Sequence, residues 1–302
     1  MVETTDDLYV KYRPLLFSIA YRMTGLRAEA EDVVQDVFLQ WARRPPEAQH
    51  LEHPKAYLCR MTVNRCTDLA RSARARRLTY FGPWLPEPLV ALERDPAAAV
   101  EEDETLSFAM LLLMEKLRPV ERAVFVLREA FGFEYADIAG MIDKTEANVR
   151  QIVSRVRAKL DAERPADAAP QAAFAFASEL LAAFHQASSS GNLEPLMQRL
   201  APDVVLLSDG GGKAFAAPVP IVSRNRVAAF LGGLMRKAAE APGKYSFIPV
   251  PVNGGPGLVV LEGSSVSNVM TFAFGADGAV HDIYIVRNPD KLRHVSAALR
   301  IP

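Results

Sequence analysis

The apolar residues of this chain change their period once, near residue 165, and that change restricts the possible folds more than any other feature. Before it they recur at helical spacing. Leu15, Leu16, Ile19, Ala20 and Met23 mark one helix, with Gly25 placed to end it. Val33, Val34, Val37, Phe38 and Trp41 mark a second helix over about 27–43. After the proline-bearing loop Arg43–Pro54, a third helix is predicted to run to about Arg77. Residues 78–105 read as a proline-punctuated linker, and a second helical block spans 106–164. Beyond the Ala/Pro stretch Arg164–Pro170 the pattern alters. Helices are predicted at 172–188, 193–200 and 224–239, and strands at Val204–Leu207, Tyr245–Val252, Leu258–Glu262, Val266–Phe274 and Val280–Val286. The breaks at Asn253-Gly254-Gly255 and Asp277-Gly278 are hairpin chemistry. Two all-α domains followed by an α+β domain with a mostly antiparallel sheet are therefore expected.

Charge is balanced in sum and segregated in place. Lys and Arg number 35 against 36 Asp and Glu, a net charge of −1. Acids gather at Glu29–Asp36 and Glu101–Glu104, bases at Arg60–Arg77 and Arg150–Lys159. Such a chain can meet DNA with one face and a basic protein surface with another. No apolar run approaches the roughly eighteen residues of a membrane span, and the charged N-terminus is unlike a signal peptide, so no membrane partner and a cytoplasmic location are expected. Cys59 and Cys66 stand seven residues apart on one helix, about 10 Å of rise, which suits core packing and neither a disulfide nor a metal site.

The stretch Tyr135–Arg150 has the layout of a helix-turn-helix. Ile138, Ala139 and Ile142 face inward on a short helix, Asp143-Lys144 turns the chain, and Thr145 caps a helix from Glu146. Val149, Ile152, Val153 and Val156 bury one side of that helix. Asn148, Arg150, Gln151, Ser154, Arg155 and Arg157 occupy the other, with no acid between Glu146 and Asp161. Arg and Gln can read base edges in a major groove, and Ser and Arg can hold phosphates. In the first block, Arg60, Asn64, Arg65, Asp68, Arg71, Arg74, Arg76 and Arg77 form a base-rich helix face suited to a phosphate backbone, and Trp41 and Tyr57 offer either core packing or a stacking surface.

These motifs together resemble the extracytoplasmic-function branch of the sigma-70 family. Ala28–Leu39 is similar to that family's polymerase-binding helix, Ala56–Leu58 with Val63–Arg65 to its −10-reading element, and Pro119–Phe125, Glu134–Ala139 and Asn148–Arg150 to its −35-reading domain. The resemblance extends to a sigma-J-like subgroup with a SnoaL-like (NTF2-like) C-terminal cone domain. Its three short motifs are matched here by Trp84–Leu89 (WLPEPL), Asp209–Lys213 (DGGGK) and Asn288–Leu292 (NPDKL).

The resemblance implies an alternative sigma factor that binds core RNA polymerase and promoter DNA and uses no cofactor or metal. Region 2 would span 1–77, the linker 78–105, region 4 106–164 and the SnoaL-like domain 171–302. Asp32, Gln35, Asp36 and Phe38 would dock on the polymerase β′ clamp helices, with Phe38 an anchor if exposed. Asn64, Arg65, Asp68, Arg71, Arg74, Arg76 and Arg77 would act at the −10 element, and Asn148, Arg150, Gln151, Ser154, Arg155 and Arg157 at the −35 element. Trp84, Leu85, Pro86, Glu87, Pro88 and Leu89 would meet Asp209, Gly210, Gly211, Gly212 and Lys213 and the tail Asn288, Pro289, Asp290, Lys291 and Leu292, regulating the factor in cis. Trp84 and Leu89 would supply the buried area.

Three other readings remain. Asp209–Lys213 lacks P-loop spacing, so it reads as a turn or an interdomain contact before a nucleotide site. An enzyme would draw on His185, Asp203, Asp209, His281 or Asp282, which form no recognisable acid–base pair, so no catalysis is expected. A cavity lined by Phe174, Phe176, Phe184, Phe230, Phe247, Phe272 and Phe274 could take an unknown small molecule, unless those rings fill it. A one-component helix-turn-helix regulator with a small-molecule domain would explain 106–302 but leave the first block without a purpose.

Overall fold

The computed structural model describes residues 4–45, 53–90, 107–163 and 169–299. The chain divides into two compact units. Among the described residues, one holds those up to Thr79 together with Met110–Glu163; the other holds 80–90, Ser107–Ala109 and 169–299.

The first unit is helical. Helix α1 (Thr5–Thr24) starts at a capping box in which Asp7 N donates to Thr4 Oγ1 at 3.2 Å and Thr4 N to Asp7 Oδ2 at 2.9 Å. It ends at Gly25, whose φ of 72° is left-handed, so a residue without a Cβ suits the stop. Helices α2 (Arg27–Ala42) and α3 (Pro54–Leu78) pack on it. Their shared core includes Leu16, Ile19, Val33, Val37, Leu58 and Val63, each side chain contributing roughly 1.5–3 kcal/mol on burial. Cys59 and Cys66 lie in it as free thiols, and burial pushes both pKa values up to about 12. Trp41 is 1% exposed, so it is a core residue and not a stacking surface; Tyr57 is half-buried beside it, with the Arg44 guanidinium 4.2 Å from its ring.

Helices α4 (Phe108–Met114), α5 (Pro119–Phe125), α6 (Tyr135–Ile142) and α7 (Glu146–Glu163) form the second helical set. Pro119 opens α5 at its first turn, and a π-helical turn (Val126–Ala130) continues it. The fully buried Arg122 joins the two sets. Its Nε donates to Arg22 O at 2.7 Å, it pairs with Glu115, and burial lowers its pKa to about 10. No described helix is long and apolar enough to cross a membrane.

The second unit is α+β. Helices α8 (Pro170–Ser190), α9 (Glu194–Arg199) and α10 (Arg224–Ala239) accompany strands β1 (Leu200–Asp209), β2 (Ile221–Val222), β3 (Tyr245–Val252), β4 (Gly255–Glu262), β5 (Ser265–Phe274) and β6 (Val280–Val286). The sheet order is β2-β1-β6-β5-β4-β3. It is mixed, because β6 returns beside β1 in parallel while the other pairs are antiparallel. Strand β1 is longer than predicted: Pro202 sits in a register shift between Leu200 and Val205, where its missing N–H breaks no ladder bond. Strand β4 begins at Gly255 and not Leu258, since the two-residue Asn253-Gly254 turn, both at positive φ, pairs Val252 directly with Gly255.

Alternation gives the sheet two different faces. Leu206, Leu258, Val260, Met270, Phe272, Ile283 and Ile285 point toward α8, α9 and α10 and form the core. The opposite face is covered by the segment Tyr80–Val90, which bridges to β3 at Val90–Val252, by a 3-10 turn (Pro289–Lys291) and by helix α11 (Arg293–Ala298).

Candidate functional site

Helices α6 and α7 form the predicted helix-turn-helix. Asp143 takes φ 52°, Lys144 N donates to Ala139 O at 3.1 Å, and Thr145 Oγ1 accepts from Asn148 N at 3.3 Å. Ile138, Ala139 and Met141 are buried, while Ile142 is only partly so. Both Met141 and Ile142 lie one turn from Ile138, and it is Met141 that is the buried one, with Ile142 at the edge of the inward side. Val149, Ile152, Val153 and Val156 are buried on α7. Asn148, Arg150, Gln151, Ser154, Arg155 and Arg157 are all exposed. Arg150 is held by Glu146 and lies 4.2 Å from the Tyr135 ring; Arg157 pairs with Glu129 at 2.8 Å, and Arg155 stands 4.0 Å from Glu121. Exposed pairs of this kind are worth about 0–1 kcal/mol, so a phosphate or a guanine edge can replace them.

On α2, Asp32 and Gln35 are exposed and Asp36 is half-buried. Phe38 is not an exposed anchor: it is 6% exposed and meets Tyr9 edge-on at 4.9 Å, because α1 lies over that side of α2. The exposed apolar neighbour is Leu39. On α3, Asn64, Asp68 and Arg71 are exposed, and Asp68 and Arg71 pair at 3.3 Å. Arg65 binds Asp36 at 2.8 Å, so one residue expected at the −10 element holds one expected at the polymerase. Arg60 reaches the turn residue Asp143 at 3.0 Å. The side chains of Arg74, Arg76 and Arg77 lie outside the described residues, as do the acids Glu101–Glu104.

The three short motifs meet in the α+β unit around Asp209, which is fully buried. Its Oδ1 accepts from Tyr80 Oη at 2.7 Å; its Oδ2 accepts from Leu85 N at 2.9 Å and Lys291 Nζ at 2.8 Å. Lys291 also donates to Leu85 O, and its ammonium lies 4.2 Å from the Trp84 ring. Tyr80 Oη in turn accepts from Asn288 Nδ2 at 2.9 Å, and Asn288 Oδ1 caps the 3-10 turn through Asp290 N. Burial, followed by the bond to Asp209, raises the Tyr80 pKa. A carboxylate with three donors and an ammonium with matching acceptors can stay charged without water; removing either orphans the rest.

The glycines of the loop make room for this network. A Cβ on Gly211 would stand 2.2 Å from Asn288 Nδ2, and one on Gly210 2.2 Å from Ala214 O. Asn288 and Tyr80 thus occupy the space a phosphate would need. Lys213 bonds Asp290, which holds the Asp290 carboxyl below its usual range. Leu85, Pro86, Glu87 and Pro88 are buried, whereas Trp84 and Leu89 are half-buried, so Leu85 and not Trp84 is the deepest anchor. Leu89 instead forms a strand-like pair with Asn253: Leu89 N donates to Asn253 Oδ1 at 3.1 Å and Asn253 N to Leu89 O at 2.8 Å. Tyr80, Asn253 and His294, which sits 2.9 Å from Glu87 Oε1, were not legible as partners; only the proximity of Tyr80 and His294 to the motifs hinted at them.

Among the described residues, the enzyme candidates do not assemble. Asp209 is enclosed in the cluster, Asp203 is exposed, and neither His281 nor Asp282 lines the unit's cavity. The His185 side chain lies outside the described residues. Of the phenylalanines, Phe184, Phe230, Phe247 and Phe272 line the cavity, Phe176 and Phe274 pack together at 6.1 Å, and Phe174 is exposed.

Known proteins share this plan. Residues 8–76 match the model for Sigma-70 region 2 and residues 107–160 that for Sigma-70, region 4. The chain is 34% identical over 290 residues to the ECF RNA polymerase sigma factor SigJ of Mycobacterium tuberculosis, covering 92% of this chain and 90% of that one. The probable ECF RNA polymerase sigma factor SigI of the same organism is 29% identical, covering 95% and 94%. The crystal structure of M. tuberculosis SigJ matches with a TM-score of 0.73 at 28% identity, over 94% of this chain and 96% of that one. With relatives that span its whole plan, helical blocks and α+β unit alike, this chain belongs to the extracytoplasmic-function RNA polymerase sigma factors, the alternative sigma factors that direct transcription initiation.

Proposed function

We propose that this sigma factor divides its work among four segments: region 2 over 1–77, a linker over 78–105, region 4 over 106–164 and a regulatory SnoaL-like domain over 171–302. The exposed polar face of α7 carries the reading. Six polar side chains stand clear of a buried apolar stripe on a helix opened by a tight turn, and they can enter the −35 major groove. Asp32 and Gln35, with the exposed Leu39 in place of Phe38, face the β′ clamp helices of core polymerase. Asn64, Arg65, Asp68 and Arg71, continued by Arg74, Arg76 and Arg77, hold the −10 element, where energy for opening the duplex comes from binding and not from covalent chemistry. Its place of action is the cytoplasm, and it is not an enzyme.

The α+β unit acts in cis on these activities through the Asp209 cluster, which ties the segment leading out of region 2 to the sheet. The test is reconstituted transcription. Purified core polymerase and the full chain should yield promoter-specific transcripts, and Lys291→Ala should alter the yield without altering the start site. No transcript from core plus this chain on a promoter library would reject the sigma reading; an unchanged yield in the variant would reject the regulatory one.

A further inference from the structure

Three helices do not fill the inner face of the sheet. A cavity of about 530 Å3 remains between α8, α10 and strands β3 to β6, within the roughly 300–1,000 Å3 range of small-molecule sites. Its walls are largely apolar, with Phe184, Phe230, Met270 and Phe272 among them. Polar groups gather where β1, β5 and β6 run side by side: Ser208, Asn268 and Arg287. The β5–β6 register places Val269 against Val286, so one step further Asn268 stands opposite Arg287 on the face that also carries Met270 and Ile285.

Two features of this end point to a ligand. Arg287 Nη1 donates to Phe215 O at 2.6 Å, but Arg287 Nε and Asn268 Oδ1 are buried with no hydrogen-bond partner. Folded proteins seldom leave such groups unmatched. The charge around the cavity is also one-sided. Among the described residues, Lys237 and Arg287 line it and no Asp, Glu or His does. Glu262, whose carboxyl is held below its usual range chiefly by Lys244 and more weakly by Arg287, is itself paired with Lys244 at 2.8 Å.

We propose that this cavity binds an apolar organic anion, with its ring or chain against Phe184, Phe230 and Phe272 and its charged head on Arg287 and Ser208. A guanidinium suits a carboxylate or sulfonate head, because both present paired oxygens to its fork of donors. The biological role of the site rests on the regulatory reading given above, but its binding chemistry does not.

Two fluorescent probes with the same ring system test it on the purified full-length chain. One is 1-anilinonaphthalene-8-sulfonate, the other the uncharged N-phenyl-1-naphthylamine. The sulfonate should bind at one site per chain, and Arg287→Gln should weaken it about tenfold, the loss expected for one charge-assisted contact. The uncharged probe should change less than twofold. Arg287→Lys, which keeps the charge but loses the fork, should fall between wild type and Arg287→Gln, and Met270→Trp, which fills the cavity, should abolish binding of both. Asn268→Asp, which sets a carboxylate opposite Arg287, gives the same discrimination should Arg287→Gln fail to fold. Equal sulfonate affinity in wild type and Arg287→Gln, binding that survives Met270→Trp, or no sulfonate binding to the folded chain overturns the proposal. Because no polymerase is present, such a failure leaves the sigma reading untouched, and a failure of transcription leaves this one untouched.

Discussion

The charged residues of α3 and α7 and those around Asp209 are the same chemical types used in opposite ways. On the helices, Arg65, Arg71, Arg150 and Arg157 hold carboxylates at the surface. These pairs are loose and screened by salt, so the groups remain available to DNA. Around Asp209 the charge is buried: both carboxylate oxygens accept from fixed donors, and the Lys291 ammonium donates to Leu85 O and Asp209 Oδ2 beside the Trp84 ring. Charge therefore marks a binding surface only where it stays wet. Where it is dry, it marks a structural joint.

Substitutions can break that contrast, beginning with the joint. Asp209→Ala should destabilise the α+β unit by about 4 kcal/mol, because Lys291 and two further donors lose their acceptor. A denaturant midpoint followed through Trp84 and tyrosine signals would show it; a loss below about 1 kcal/mol would mean that the cluster is wet. Leu85→Ala follows at about 3 kcal/mol, a fully buried leucine leaving a cavity, whereas Leu89→Ala should cost clearly less.

Alkaline pH sharpens the comparison from the helical side. Folded Cys59 and Cys66 keep their protons to about pH 12, while unfolded thiols release theirs near pH 8.5. The unfolded state thus binds fewer protons as pH rises, and stability falls by roughly 2 kcal/mol per thiol between pH 8 and 10. Helical circular dichroism of a Cys59→Ala/Cys66→Ala chain should show that slope flattened. Tyr80, also raised, adds a similar loss to the other unit only from about pH 10 upward.

Arg155→Ala on α7 should weaken −35 DNA binding about tenfold and leave the folding midpoint within about 0.5 kcal/mol, as titrations in fixed salt would measure. The smallest effect is expected of Asp68→Ala. Its exposed pair with Arg71 should contribute less than about 0.5 kcal/mol, and a larger loss of stability would show that α3 needs its surface pairs to fold.

Local signals were legible and distant ones were not. The turn at Asp143, the cap at Thr145 and the Asn253-Gly254 hairpin depend on residues within a few positions, so periodicity and turn chemistry sufficed. The motifs around Asp209 were recognisable as words, but their grammar was not. That Tyr80 bonds Asp209 across 129 residues, or Asn288 bonds Tyr80 across 208, depends on where the sheet places each strand end. Phe38 illustrates the limit on a single helix. Spacing puts it at the border of the apolar stripe, and only the position of Tyr9 on α1 decides that it is covered. The parallel placing of β6 beside β1 is likewise a tertiary fact, since no short loop connects them.

One consequence lies in the thickness of the sheet. Ser208 lines the inner cavity while Asp209, the next residue, anchors the outer cluster; Arg287 and Asn288 repeat the arrangement, and both of their N–H groups bond the Asp209 carbonyl. Inside and outside are thus separated by single peptide planes. At these two strand ends, neighbours in the sequence therefore serve opposite faces of the sheet, and the Asp209 peptide carbonyl is the atom that both Arg287 and Asn288 bond.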